Sequence, residues 1–460
     1  MKIRNKLILL AFMSAAIFTS CKKALDVEPK QSIDAANALE TDQDVNSLVV
    51  GAYSVLGGGS LYGTNLLMVP DLLGSDGICT WRGTFQSPRQ IAGKTMLRDN
   101  ADANLIWTEA YRAINISNIV LNSLDIVKDA DLKQQLEGEA LFIRGILHFE
   151  LVRLYGLPYG AVAGNTQSGV VIKTKPTNTE TDAFEKNPRS TVQQVYTQVI
   201  TDLTKAATLL PEENGVRATK YAALAFLTRV YLQQANYTAA LAAANTVIES
   251  GYYKMNASVR AVFDNKNTAE SIWEIQQNEQ NNAGTANNGM ATFYASLPGI
   301  GRADVRIVAS YPDNNYDQGD LRISEWYYIG TGARPGNTYC GKWKSFSQNL
   351  PVVRIAEMYL TRAECNLRLG SSVGAAPADD LAMVKNAVRT NSTSSANPSL
   401  SDVLNERFVE LAFEGQRIHD LRRLRMSTGS FAWNADRLVF PIPQREIDAT
   451  NGVLVQNPGY

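Results

Sequence analysis

Trp81 and Arg82, enclosed in Gly77-Ile78-Cys79-Thr80-Trp81-Arg82-Gly83, and the run Trp326-Tyr327-Tyr328 set flat aromatic rings in segments of little periodicity. That combination suits recognition by stacking, of which a sugar ring is one case. The apolar C–H faces of a sugar ring stack on an aromatic ring, while its hydroxyls hydrogen-bond to Asn, Asp, Arg or Gln at the rim. If residues 326–328 form a strand, alternate side chains face opposite ways and only part of the run can meet a ligand. Trp107, Trp273 and Trp343 sit in periodic elements and read as core. Asn287 and Asn288 could line a rim or simply make a turn. The loop acids Asp76, Asp304 and Glu325 show no pairing, whereas a glycoside hydrolase needs two carboxyls roughly 5–10 Å apart across a cleft. Asp313, Asp317 and Asp320 lack the spacing of an ordered calcium loop, so no metal site is expected. Only two histidines occur, His148 and His419, each in a predicted helix, which argues against a zinc enzyme or a Ser-His-Asp triad.

A hydrophobic content of 45% and a charged content of 19% over 460 residues describe a globular chain with a large core. A net charge of −1 leaves no basic field for nucleic acid. Nineteen tyrosines and six tryptophans weigh toward recognition by stacking. The cysteines at 21, 79, 340 and 365 show no close pair or metal-ligand spacing, and Cys365 reads as a small core residue.

The elements that would carry these residues begin with an amino-terminal signal. Lys2, Arg4 and Lys6 precede an apolar run from Leu7 to Phe18, ending in Phe18-Thr19-Ser20-Cys21. The run is too short to span a bilayer and reads as a secretory signal over residues 1–20. Residues 21–34 follow as a tether. Helices are predicted around Val45–Tyr53, from Leu105, over Leu132–Tyr155, and from a Ser190 cap to Leu210. The segment Leu61–Asn104 reads as loop. Tyr231, Ala235, Tyr237 and Ala240 are spaced like a tetratricopeptide unit, and Ala356, Tyr359, Ala363 and Gly370 give a weaker copy. One helix pair cannot bury its own apolar face, so several must stack. The prediction is a mainly α scaffold over about 35–270 and 345–430, with an irregular, loop-rich ligand lobe at about 271–344 and a few short strands. Leu404, Phe408, Leu411, Ile418 and Leu421 predict a helix across Gly415, where something must press close to the backbone. Its charges, Arg407, Glu410, Glu414, Arg417, Asp420 and Arg423, predict an ion-pair network that docks neighbouring helices; an acid/base pair is the less favoured reading.

The pattern Glu406-Arg407-x-x-Glu410-Leu411-x-x-Glu414-Gly415-x-Arg417-x-x-Asp420-Leu421-x-Arg423 resembles the C-terminal signature of the SusD/RagB family, surface nutrient-binding lipoproteins of gram-negative bacteria. Leu25-Asp26-x-x-Pro29, Asp320-Leu321-Arg322, Pro351 to Glu364 and the terminal Gln456-Asn457-Pro458-Gly459-Tyr460 resemble the same family. The resemblance implies stacked helix pairs with irregular loops on one side. It implies that Cys21, placed like a lipobox cysteine, carries acyl chains that hold the protein on the outer membrane at the cell surface. Phe18 and the Lys22-Lys23 pair depart from the usual lipobox surroundings. It further implies a SusC-like TonB-dependent transporter as partner, an oligosaccharide or in some members a peptide as ligand, no cofactor and no chemistry on the ligand. The candidate ligand residues are Trp81, Arg82, Trp326, Tyr327 and Tyr328. A glycoside hydrolase and a pure assembly scaffold are the rival readings.

Overall fold

A computed structural model describes residues 39–183 and 185–460. Cys21, the signal and the tether lie outside the described residues.

The helices form because capping and burial agree. The first, α1 (Asp42–Leu56), opens on a Thr41–Asp44 capping box, which satisfies two backbone amides that the first turn leaves without partners. The segment expected to be loop then departs from expectation. It holds α2 (Asn65–Leu73), strand β1 (Cys79–Trp81) and α3 (Gln86–Ala92). Every residue of α2 is buried, so it has no polar face and no helical period to read. Next come α4 (Ala101–Asn122), capped by Asn100, and α5 (Ala130–Tyr155), capped by Asp129. Helix α6 (Val192–Leu209) is capped by Thr191, one residue beyond the expected Ser190. After it, α7 (Lys220–Gln233) and α8 (Tyr237–Glu249) form the predicted tetratricopeptide-like pair.

The lobe contributes β2 (Ser271–Ile275), β3 (Val305–Ile307), β4 (Tyr327–Ile329) and β5 (Thr338–Cys340). Then β6 (Leu350–Arg354) runs straight into α9 (Ile355–Leu369), followed by α10 (Pro377–Val384), α11 (Leu400–Glu410) and α12 (Arg417–Arg423). The strands form antiparallel pairs β1–β3, β2–β6 and β4–β5. The helices pack in sequence, α4 on α5, α5 on α6, α6 on α7, α7 on α8, then α8 on α9 and α9 on α10. Where α5 meets α6 the contact is tight. A Cβ at Gly145 would lie 3.0 Å from the Leu203 side chain, so a larger residue there would push the helices apart. The structure is the predicted mainly α stack with short strands.

Near the C-terminus the predicted continuous helix is interrupted. Helix α11 ends at Glu410 and α12 starts at Arg417, with Phe413 at φ 64° and Gly415 at φ 79° between them. The close approach expected at Gly415 is present. A Cβ there would sit 2.7 Å from the Leu66 carbonyl oxygen and 2.8 Å from the Leu67 Cα. Asp71 of α2 accepts from the Gly415 amide at 2.8 Å and the Arg417 amide at 3.1 Å. These contacts fix the break and cap α12.

The charges around this break form the expected docking network, with most partners drawn from other elements. Glu410 meets Arg354 at 3.0 Å, Arg389 at 2.9 Å and Arg322 at 2.9 Å. Arg354 also reaches Glu270 at 2.5 Å and Glu414 at 2.8 Å. Lys342 is fully buried and donates to the Glu410 and Ala412 carbonyls and to Glu414. A second cluster joins Arg407 to Glu357 and Asp420, and Arg423 to Asp420 and Glu364. Asp420–Arg423 is paired as the sequence predicts, while Glu414 turns to Lys342 and Arg354, and Arg417 lies over the Phe408 ring. Buried pairs of this kind add little net stability over apolar packing, but losing one partner costs about 3–5 kcal/mol. Their effect is to fix one arrangement of lobe, α9 and α11. Although burial pushes its carboxyl up, the three arginines hold Glu410 well below the usual range. A buried carboxylate held ionised in this way cannot act as an acid/base catalyst on a bound ligand.

Candidate ligand site

Strands β1 and β3 pair Trp81 with Val305 and Thr80 with Arg306, which carries the Trp81 loop onto the lobe. The Arg82 amide donates to the Asp304 carbonyl at 2.6 Å. Gly83 is required there, since a Cβ would lie 2.6 Å from both Asp304 and the Trp81 ring. Trp81 is 9% exposed, packs on Phe293 at 5.5 Å, and leaves its indole N–H without a partner. Arg82 is exposed and its side chain has no hydrogen bond or ion pair among the described residues.

Around these two stand residues that the sequence did not single out as ligand contacts. Phe85 is 39% exposed, meets Phe293 edge-on at 6.1 Å and carries the Arg302 guanidinium 4.3 Å above its ring. Arg302 bonds Asp304 at 2.9 Å and the Thr84 hydroxyl at 3.2 Å. Arg334 donates to the Arg82 carbonyl and approaches Asp304 Oδ1 only to 3.6 Å. That oxygen therefore has no hydrogen bond. Burial raises the Asp304 carboxyl, against the lowering pull of Arg302 and Arg334.

Tyr328 belongs to the same surface. Its hydroxyl accepts from the Ser296 amide at 2.8 Å, and its ring lies 6.2 Å from Tyr339, whose hydroxyl donates to the Arg334 carbonyl at 2.8 Å. The Thr292 and Ser296 hydroxyls nearby are buried without partners. The Trp81 indole N–H, Asp304 Oδ1 and the Thr292 and Ser296 hydroxyls are buried without partners beneath Phe85, Arg82, Arg302 and Arg334, and it is this rim, with the Phe85 ring as its stacking face, that forms the candidate ligand surface.

Two expected residues are corrected. Trp326 is fully buried, its N–H donates to the Val259 carbonyl at 2.9 Å, and Lys342 sits 3.9 Å above its ring. Tyr327 points inward as the strand period requires, with its hydroxyl 2.9 Å from that of Tyr316 and its ring near Phe413. Neither can touch a ligand. Trp107, Trp273 and Trp343 are buried as expected.

Several acids and histidines that a rival chemistry would draw on are engaged in structural contacts or buried. Asp76 is held by Lys94 at 2.6 Å and Thr428 at 2.5 Å, and these contacts outweigh burial and keep its carboxyl low. Asp317 bonds Lys385 at 2.6 Å and Asp320 bonds Arg322 at 2.8 Å. His148 is buried with Nδ1 donating to the Arg144 carbonyl and Nε2 accepting from Lys173, and burial lowers it to about 3. His419 is also buried. No cluster of three or more His, Cys, Asp or Glu is disposed to hold a metal ion among the described residues. No helix among them is long and apolar enough to cross a membrane.

Comparison with known proteins adds the following. A family model described as "Starch-binding associating with outer membrane" matches residues 23–232, and one described as "SusD family" matches residues 310–438. SusD-like protein P2 of Formosa agariphila is 25% identical over 95% of this chain and 96% of its own length. A crystal structure of a SusD superfamily protein from Bacteroides thetaiotaomicron is similar with a TM-score of 0.81 at 26% identity, covering 91% of this chain and 100% of that one. A laminarin-binding SusD-like protein shares the fold at a TM-score of 0.73 and 21% identity, covering 92% and 100%.

Proposed function

This chain belongs to the SusD/RagB family, and from that premise we propose that it is a lipid-anchored, cell-surface protein of the outer membrane that binds oligosaccharide without altering it. It delivers that ligand to a SusC-like TonB-dependent transporter. The observation supporting the ligand class is an exposed aromatic ring, Phe85, set among the accessible guanidiniums of Arg302 and Arg334 and the unengaged Arg82 side chain. A peptide would offer backbone groups in fixed alternation, whereas a sugar offers hydroxyls at every ring position together with an apolar face. The laminarin-binding relative of the same fold supports a glycan. Arg302 bonds the Asp304 carboxylate and Arg334 approaches it, while the exposed Arg82 guanidinium has no partner among the described residues, an excess of positive charge that favours sugars bearing carboxylate or sulfate groups.

The test is a glycan array probed with soluble protein beginning after Cys21, followed by calorimetry on the hits and co-purification of the lipidated chain with a barrel transporter. Saccharide binding with no sugar released is the expected result. Sugar released from a polysaccharide would replace the reading with a hydrolase. Binding of peptides with every saccharide ignored would assign the peptide-binding role, and tight transporter binding with no ligand of either kind would leave a scaffold.

A further inference from the structure

Away from the Trp81 surface, two open cavities of about 450 Å³ and 440 Å³ share Val216, Arg217, Trp273, Glu274 and Gln276 and so form one trough. It lies where the scaffold meets the lobe. The end of α1 and the loop between α6 and α7 form one wall, and β2 with the residues after it forms the other. No residue of the Trp81 site lines it.

Three features mark the trough as built to receive a ligand. First, consecutive residues Trp273 and Glu274 both line it, which a regular strand forbids because neighbours face opposite sides. The pairing of β2 with β6 shifts register on both sides of Trp273, and such irregularities re-aim side chains. Second, Ser271 Oγ, Trp273 Nε1 and Glu274 Oε2 are buried, line the trough and have no hydrogen-bond partner. The other Glu274 oxygen is occupied by the Asn267 amide at 2.6 Å and Asn349 at 2.6 Å, so Oε2 is held in place with its lone pairs unused. Third, the rim is aromatic. Tyr252 is 41% exposed, stacks near Tyr221 at 5.2 Å and is oriented by a 3.1 Å bond to Glu212.

We infer that this trough is a second saccharide site, taking a neutral oligosaccharide segment. An unused N–H, an unused carboxylate oxygen and an unused hydroxyl together ask for groups that both donate and accept, as sugar hydroxyls do. Glu212, Glu213 and Glu274 against Arg217 disfavour an acidic ligand, the opposite of the arginine-rimmed surface. The inference rests on the saccharide reading above.

The test uses the full soluble chain with Arg82→Ala, Phe85→Ala and Arg334→Ala combined to blunt the first surface, titrated with laminarihexaose, cellohexaose and mannohexaose. Glu274→Gln keeps the Oε1 acceptor and turns the free position from acceptor to donor. Tyr252→Ala removes the exposed ring, and Tyr252→Phe keeps it as a folding control. The expected result is residual hexasaccharide binding in the triple variant that falls about tenfold or more with Glu274→Gln and with Tyr252→Ala. Tyr252→Phe should bind within a factor of about three of its parent, and hydrogen exchange should slow over residues 268–277 on saturation. Unchanged affinity in both trough variants, or a triple variant that binds no saccharide while the wild type binds, overturns the second site and leaves the proposed function standing. A wild type that binds none of the three hexasaccharides overturns the second site, and only a wild type that also ignores every saccharide on the glycan array overturns the proposed function as well.

Discussion

Arg82 offers the cleanest separation of binding from folding. Its side chain is exposed and engages no other described residue, while its backbone amide, which any residue would supply, holds Asp304. Arg82→Ala should therefore leave stability within about 0.5 kcal/mol, the range of surface substitutions away from special features. If the guanidinium makes one charge-assisted hydrogen bond to bound sugar, its loss costs about 1.5–3 kcal/mol. At 1.4 kcal/mol per tenfold, that is roughly a 10- to 150-fold rise in Kd. For a uronate or sulfated oligosaccharide the penalty should be at the upper end. It should shrink between about 0.1 M and 1 M salt, as the screening length falls from about 10 Å to 3 Å. Calorimetric titration and thermal unfolding on the same preparations read both quantities. An affinity within about twofold of the wild type, or a loss matched by a lowered melting temperature, would refute the placement of Arg82 at the ligand.

Three further outcomes follow from the same contacts. Glu410→Gln leaves Arg322, Arg354 and Arg389 short of a shared counter-charge and should cost about 3–5 kcal/mol in denaturant unfolding. Glu137→Gln, which breaks an exposed pair with Lys205, should cost less than about 1 kcal/mol; equal effects would contradict the hub. Asp71 is raised to about 7, burial outweighing its bonds from the Gly415 and Arg417 amides. Because the folded value exceeds the unfolded 3.8, its contribution is full below about pH 4 and is lost as pH rises toward 7. Glu357, Glu364, Asp420 and Glu410 are lowered and fail only in acid. The buried histidines His148 and His419 are lowered and act the other way, alike in both proteins. In a urea series from about pH 4.5 to 7.5, the stability of the wild type relative to Asp71→Asn should thus fall as pH rises; parallel lines would refute it. Cys21→Ala should release the protein from membranes without changing saccharide affinity, read by fractionation and calorimetry. Continued membrane retention would exclude Cys21 as the anchor.

What the sequence disclosed followed from periodicity. Half-buried helices such as α6 show their apolar stripe, and small residues such as Gly145 announce where helices touch, so the stack could be read in advance. Helix α2 could not, because a helix buried on every side has no period. The break between α11 and α12 was hidden for another reason. The stripe from Leu404 to Leu421 continues in phase across it, and only the contact of Gly415 with α2 forces the chain to turn. At the surface proposed for the ligand, Trp81 and Arg82 stand out in the sequence as an aromatic and a charge between glycines, and Tyr328 by type. Trp326 was misread because its burial depends on Lys342 and Val259, both distant in sequence. Phe85, Arg302 and Arg334 were missed because their convergence depends on β1 meeting β3, a pairing across more than two hundred residues. Their one local sign was an aromatic or arginine within two residues of a glycine, at Gly83, Gly301 and Gly332.

The two halves of the molecule answer to one physical requirement. Sugars present weak, exchangeable hydroxyl contacts, so a binding surface gains affinity chiefly by being ordered before the ligand arrives. The loops that carry Trp81, Arg302 and Arg334 have little regular structure to order them. The buried charges supply that order from below: Lys342 and Arg322 tie the lobe to Glu410, Glu406 and Glu414, and Arg354 ties Glu410 and Glu414 to the start of α9. An apolar interface of equal area would hold these parts together while allowing them to slide, whereas directional pairs permit one register. On this account, replacing Glu410 should loosen the ligand surface even under conditions where the chain stays folded. The wild-type glycan should then bind Glu410→Gln with an extra entropic penalty rather than a lost enthalpic contact. Calorimetry showing the loss entirely in enthalpy would mean that the hub contributes to folding alone.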